Sequence, residues 1–290
     1  MDSRFRRLWA NLETALIAPE RLHEYATLPS EGRRDTPFNL ASWPTHCRIT
    51  YTNVSFRYKP DDPLVLKNVS FDVSGGEKIG ILGRTGAGKS SLIMTLFRIN
   101  DEAAGEIAID GVDIATIGLK QLRSSLKPVL FKGPLRAYMD PFHDFTDDQL
   151  WAVLKKVQFT DRIVVSDAKL EQEVDENGEN FSVGERQMLC LSRALLHNAK
   201  IVMLDEATAA IDHATDKVLQ KVIREELKTS TVLTIAHRLD TVLDYDRILV
   251  FEQGQLVQND TPAVLATQQG GIFFDMIALG GGYAHRFVQL

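Results

Sequence analysis

Gly83-Arg84-Thr85-Gly86-Ala87-Gly88-Lys89-Ser90 fits G-x-x-x-x-G-K-[S/T] in full, and its reading decides the fold class. It follows Lys78-Ile79-Gly80-Ile81-Leu82, an apolar run that reads as a buried strand. It precedes Ser91 to Phe97, where Leu92, Ile93, Leu96 and Phe97 share one face of a helix. A glycine-rich loop between strand and helix is the setting in which this pattern holds phosphate. The glycines let successive amide N–H groups point inward, and the helix start adds partial positive charge where a polyphosphate would lie. Lys89 is expected to reach the β- and γ-phosphates, and Ser90 to offer its hydroxyl to Mg2+. The bland alternative is a turn that binds nothing, and the correct flanks on both sides argue against it.

Two later strands are predicted to end beside this loop. Ile201-Val202-Met203-Leu204 reads as a buried parallel strand, and Asp205-Glu206 stand at its C-terminal end, the edge at which parallel sheets bind ligands. Asp205 is assigned to Mg2+, through water, and Glu206 to the attacking water as general base. A carboxylate pair that merely caps a strand is the alternative. Thr231 to Ala236 is a second such strand and delivers His237 to the same edge. There it would contact the γ-phosphate or orient the water beside Glu206, although a lone histidine elsewhere is more often structural.

Upstream, Ile49, Tyr51, Val54, Phe56 and Tyr58, then Leu64 to Leu66 and Val69, Phe71 and Val73, form short alternating strands before the turn Ser74-Gly75-Gly76-Glu77. Tyr58 sits at a strand end, where it could stack on a nucleobase; spacing alone favours packing. Arg4 to Tyr25 reads as a helix with Phe5, Leu8, Leu12, Leu16 and Ile17 at near-helical spacing, interrupted by Pro19 and closed by Leu28-Pro29-Ser30. It is a helix without an evident partner, unless it is an ordinary packing helix of this same domain. Glu31 to Pro44 reads as a linker, with a boundary near Cys47.

Downstream, Gly105 to Gly111 is a strand entering a turn and Leu119 to Leu126 a short helix. Asp147 to Val157 and Gln187 to His197 read as amphipathic helices separated by an acidic loop from Glu171 to Asn180, so that about 132–197 forms a mostly helical insertion. Phe181-Ser182-Val183-Gly184-Glu185-Arg186-Gln187 leads into the second of these helices. Ser182 suits an N-cap and Gly184 permits close approach of an anion, though capping alone explains the pattern as well. Arg247 to Phe251 and Leu256-Val257 read as a hairpin, Pro262 to Leu279 as terminal helix, and Gly280-Gly281-Gly282 as the start of a frayed tail.

Composition fits a nucleotide pocket better than a polyanion surface. A net charge of −6 over 290 residues gives no global attraction for nucleic acid, so a bound anion must be held by local amides and a few cations. Cys47 and Cys190 lack disulfide-framework or zinc spacing, which suggests a reducing compartment. No apolar stretch is long enough to span a bilayer.

The phosphate loop, Phe181 to Gln187, Asp205-Glu206, Ala207-Thr208-Ala209-Ala210-Ile211-Asp212 and His237 stand in one order. That set resembles the nucleotide-binding domain of ATP-binding cassette (ABC) transporters over roughly Arg48 to Leu279. Asn53 to Tyr58, the phosphate loop, Leu135 to Pro141 and Glu206 to Ala210 are similar to the second cassette of the multidrug-resistance-associated (C) subfamily. The resemblance implies an α/β fold of P-loop NTPase type: a RecA-like parallel core sheet, an antiparallel β subdomain and a helical signature subdomain. It implies residues 1–30 as the cytosolic tail of a preceding transmembrane domain, 31–47 as linker, 48–279 as cassette and 280–290 as tail.

Carried over residue by residue, the resemblance makes Tyr58 the adenine-stacking aromatic and adds Ser91 to the nucleotide-binding set Gly83, Arg84, Thr85, Gly86, Ala87, Gly88, Lys89 and Ser90. It makes Ser182, Val183, Gly184 and Glu185 the signature that meets the γ-phosphate of a nucleotide on an opposing cassette. Phe181 and Glu185 depart from the commonest leucine and glutamine there. Ala210 and Asp212 become cassette-dimer contacts. ATP with Mg2+, a second cassette, in the same parent polypeptide, and a transmembrane domain follow as ligands and partners, at the cytosolic face of a membrane. The implied function is the ATP-hydrolysing motor of an exporter.

One departure is larger. The family has a strand and a glutamine before the stretch matching Pro128-Val129-Leu130-Phe131, whereas here Leu126-Lys127 runs directly into Pro128, and Gln121 lies inside the preceding helix. In the family that glutamine touches Mg2+ and the attacking water and forms the hinge to the membrane domain. A nucleotide-binding but hydrolysis-deficient fragment is therefore one alternative. A soluble cassette ATPase of DNA repair or translation is the other, opposed by the absence of a basic stripe and by the short interval between Gly88 and Ser182.

Overall fold

The computed structural model of the protein describes residues 3–27, 43–100, 104–125, 133–175, 178–205, 213–236 and 238–279. Helix α1 (Ser3–Ala26) runs through Pro19, so the predicted interruption does not occur. A proline in a helix interior forfeits one hydrogen bond, and strong helix formers on either side, Leu16, Glu20, Arg21, Leu22 and Glu24, carry the helix across it. Trp9, Leu12, Leu16, Ile17, Leu22 and Tyr25 of this helix are exposed. Among the described residues no helix is long and apolar enough to cross a membrane.

Trp43 to Cys47, which the sequence reading assigns to the linker, is strapped onto the folded body. Trp43 Nε1 donates to Ile109 O at 3.1 Å, and the N–H groups of His46 and Arg48 donate to the Asp110 carboxylate at 2.9 Å each. Burial works to raise the Asp110 pKa, but the N–H bonds from Arg48, His46, Thr45 and Cys47 outweigh it and hold the carboxyl below its ordinary value.

Strands β1 (Ile49–Phe56) and β2 (Leu66–Val73) pair antiparallel. Next come β3 (Lys78–Gly83), helix α2 (Lys89–Leu96), β4 (Ala104–Ile109), β5 (Val112–Asp113) and α3 (Leu119–Ser125). The first sheet has the order β2-β1-β4-β5 and is antiparallel throughout. The helical insertion contains the short pair β6 (Gly133–Pro134) and β7 (Glu173–Val174), with α4 (Leu135–Met139), α5 (Asp147–Lys156) and α6 (Thr160–Val164) between them, and then α7 (Val183–Leu196). The chain closes with β8 (Ile201–Asp205), α8 (His213–Glu226), β9 (Thr231–Ile235), α9 (Leu239–Val242), the hairpin β10 (Arg247–Glu252) and β11 (Gln255–Asp260), α10 (Pro262–Leu265) and α11 (Ile272–Leu279).

The core sheet has the order β11-β10-β3-β9-β8 among the described residues, with β10, β3, β9 and β8 parallel. The phosphate-loop strand β3 is thus central, and residues Ile79, Ile81 and Leu82 are buried on both faces as the uninterrupted apolar run requires. One apolar cluster joins Phe56 and Leu66 of the antiparallel sheet to Ile81, Leu92, Leu96 and Phe251. A second packs Tyr138, Leu150, Leu154, Met188 and Leu189 of the insertion on Val202 and Val232. These clusters set the loop and the start of α7 on a rigid frame.

Candidate functional site

The C-terminal ends of the parallel strands come level with one another. Gly83 pairs with Phe251, and Ile235 pairs with both Ile81 and Asp205. This register brings the phosphate loop and the Asp205 carboxylate to one sheet edge. Asp205 is exposed there, and Ala236 N donates to Ile81 O at 3.0 Å, carrying β9 to the same rim. Glu206, His237, Ala210 and Asp212, the other residues assigned to this edge and to the dimer contact, lie outside the described residues, as does Leu126 to Lys132.

The loop itself has the form its motif demands. Gly88, at φ +98, caps α2, and a Cβ there would lie 2.9 Å from Leu66 Cδ2 and 3.2 Å from Val65 O. No side chain caps the helix start, the arrangement in which first-turn N–H groups can meet an anion. Lys89 is only 6% exposed and folds back on its own loop, donating to Gly83 O at 2.7 Å and Arg84 O at 3.0 Å. Arg84, Thr85, Gly86 and Ser90 are exposed around it. An uncapped helix start beside an ammonium suits a polyphosphate, and an exposed Ser90 hydroxyl with Asp205 across the edge suits a metal held mainly by phosphate and water.

Tyr58 is bound to this loop through Ser91. Its hydroxyl lies 2.8 Å from Ser91 Oγ, and its ring meets Phe56 edge to face at 5.0 Å between centroids. The side chain nonetheless remains 43% exposed, leaving ring surface for a planar ligand.

Gly254, which the sequence places in a hairpin turn, also serves the site. Its N–H donates to Ala87 O at 3.1 Å and its carbonyl accepts from Lys67 N at 2.8 Å, so the β10–β11 turn backs the phosphate loop and ties it to the antiparallel sheet. Its φ is +82, and a Cβ would lie 2.1 Å from Val65 O. In sequence this glycine shows only as a hairpin turn.

Ser182 caps α7 as expected, in a full capping box: its hydroxyl accepts from Glu185 N at 3.2 Å, and the Glu185 carboxylate accepts from Ser182 N at 2.8 Å. Val183 and Gly184 form the first turn between them. The bonds of Ser182 and Glu185 stay within this turn and with Arg162 of α6; none reaches the phosphate loop of the same chain. Gln187 Nε2, one turn on, donates to Asp205 O at 3.4 Å and links α7 to the end of β8.

Known proteins are similar to this chain in sequence and in fold. A family model described as "ABC transporter" matches residues 66–209. The ABC-type transporter cicA of Emericella nidulans is 44% identical over 298 residues, covering 95% of this chain and 21% of the relative. ABC transporter C family member 6 of Arabidopsis thaliana is 44% identical over 275 residues, covering 92% of this chain and 19% of the relative. ATP-binding cassette sub-family C member 3 of Mus musculus is 46% identical over 277 residues, covering 93% and 18% respectively. The chain thus spans a small share of the length of these curated relatives. Among solved structures, that of a bacterial Atm1-family ABC exporter with ATP bound superposes with a TM-score of 0.84 at 30% identity, over 95% of this chain and 49% of the other.

Proposed function

The chain belongs to the ABC transporter family and carries its ATP-binding domain, and from that premise we propose that it is the ATP-hydrolysing motor of an exporter. The observation that carries this reading is the uncapped start of α2 with Lys89 poised on the carbonyls of its own loop, at the sheet edge to which β8 brings Asp205. Lys89 and the first-turn N–H groups grip the triphosphate, and the exposed ring of Tyr58 supports the base. Ser90 and Asp205 are the residues that would hold Mg2+, which neutralises charge on the phosphates when bound. Glu206 takes the proton of the attacking water, and His237 orients that water or meets the γ-phosphate.

Among the described residues, the signature Ser182 to Glu185 makes no hydrogen bond to the phosphate loop of its own chain, which suits a nucleotide on a second cassette. ATP then joins two cassettes, with Ala210 and Asp212 at their contact, and hydrolysis parts them. The exposed apolar side chains of α1 suit continuation toward a transmembrane domain at the cytosolic face of a membrane. The second cassette is expected in the same parent polypeptide.

Sedimentation of the chain with Mg2+ and ATP tests the reading: Glu206→Gln is expected to trap an ATP-dependent dimer, with turnover lowered by roughly 10²- to 10⁴-fold. A chain that neither binds ATP nor associates in its presence would sink it. The direct run from Leu126-Lys127 into Pro128 favours a second reading, a cassette that binds ATP and hydrolyses it poorly. Inserting the family's strand and glutamine at that point should raise ATPase activity on this second reading and leave it unchanged on the first.

A further inference from the structure

The two positions at which the signature departs from its commonest residues, Phe181 and Glu185, are both held by one side chain. Arg162 of α6 places its guanidinium carbon 5.3 Å from the centroid of the Phe181 ring and donates from Nε to Glu185 Oε1 at 2.8 Å. The other carboxylate oxygen, Oε2, accepts the Ser182 N–H that closes the capping box. Phe181 is 3% exposed and is fixed by Phe159, whose ring centroid lies 6.3 Å away. The arginine is therefore docked on a buried aromatic while it grips a carboxylate at the mouth of α7.

Resting on the reading that Ser182 to Glu185 meets the γ-phosphate of a nucleotide on an opposing cassette, we propose that Arg162 is a positioning residue that cancels the charge Glu185 brings to this helix start. Glutamate and glutamine close the same capping box, but only glutamate adds a negative charge. That charge is welcome to the helix dipole and repels an incoming phosphate at the same spot. The pair is 41% and 25% exposed at its two side chains, so it adds little to the stability of the fold. Its consequence lies in the potential met by the anion: with Arg162 paired, the N–H groups of the first turn face the ligand without an opposing net charge. The aromatic at position 181 gives the guanidinium its platform, so the two departures act as one device.

The test measures ATP-dependent self-association of the full Glu206→Gln chain by sedimentation. Adding Arg162→Ala is expected to weaken association by about tenfold, through uncompensated repulsion. Further adding Glu185→Gln, which keeps the capping box and removes the charge, is expected to restore it. If Arg162→Ala has no effect, or the added Glu185→Gln leaves association as weak as before, the proposal is overturned. Gly184→Asp separates the two levels. Should it abolish association while Arg162→Ala does not, the signature reading stands and the role of Arg162 falls. Should Gly184→Asp leave association intact, or the Glu206→Gln chain fail to associate with ATP at all, the underlying reading fails and takes the proposal with it.

Discussion

Lys89 donates its ammonium protons to the carbonyl oxygen of Gly83, six residues before it at the start of the same loop, at 2.7 Å. A second bond reaches Arg84 O at 3.0 Å. Two contacts of this nearly buried cation are thus to neutral oxygens, which a nucleotide would replace with phosphate oxygens that carry full charge. A phosphate oxygen adds a charge–charge attraction to the ammonium that a neutral carbonyl lacks, which gives the exchange its direction.

Lys89→Ala is accordingly expected to lower ATP affinity by about a hundredfold or more, read by calorimetry with Mg2+ present. Equal affinity for wild type and variant would end the argument from the phosphate loop.

Tyr58→Ala separates a base-stacking ring from a loop support. Stacking of a base on an aromatic contributes roughly 1–3 kcal/mol, so ATP affinity should fall while affinity for inorganic tripolyphosphate holds. Equal loss for both ligands would mean that the tyrosine serves the loop through its 2.8 Å contact with Ser91 Oγ and does not stack.

Gly254→Ala should act on the site through the turn that backs the phosphate loop. The left-handed backbone and the Cβ position 2.1 Å from Val65 O force the turn to move, at a cost of about 1–3 kcal/mol. The bond from Gly254 N to Ala87 O goes with it. Lower thermal stability together with weaker ATP binding is the expected result. A variant that matches wild type in both would show that the turn does not back the loop.

Acid should weaken the insertion through Asp140, which is 0% exposed. Burial alone would raise its pKa, but N–H bonds from Phe145 at 2.9 Å and Asp144 at 3.0 Å, with the Arg136 guanidinium 3.6 Å away, hold it below the ordinary carboxylate value. A carboxyl depressed by folding stabilises fully above its unfolded pKa of about 3.9, and that contribution is lost as pH falls through the lower folded value. Asp140→Asn should therefore cost about 1–3 kcal/mol at pH 7 in urea unfolding. The cost should shrink below about pH 4, where the unfolded-state carboxyl protonates. An equal cost at both pH values would remove the electrostatic explanation.

The phosphate loop, its flanking strand and helix, and the capping box Ser182–Glu185 were all legible in the chain because each is local. A glycine spacing, an apolar run or a serine three residues before a glutamate encodes hydrogen bonds that close within one or two turns. Pro19 misled because a helix break is a local penalty that neighbouring residues can override. Trp43 to Arg48 looked like linker and its boundary because its partners are remote in sequence: Ile109 is 66 residues from Trp43, and Asp110 is 62 from Arg48.

The amino-acid order by itself determined the local pieces: a glycine-rich loop at Gly83 to Ser90 between strand and helix, carboxylates at a strand end, and a capped helix start. Tertiary structure alone decided which distant groups support those pieces, setting Gly254 behind Ala87, Tyr58 against Ser91 and Arg162 between Phe181 and Glu185. Side-chain periodicity shows which face of an element is buried but not which element covers it. Strand order and helix docking settle that choice, and they depend on packing the whole chain at once.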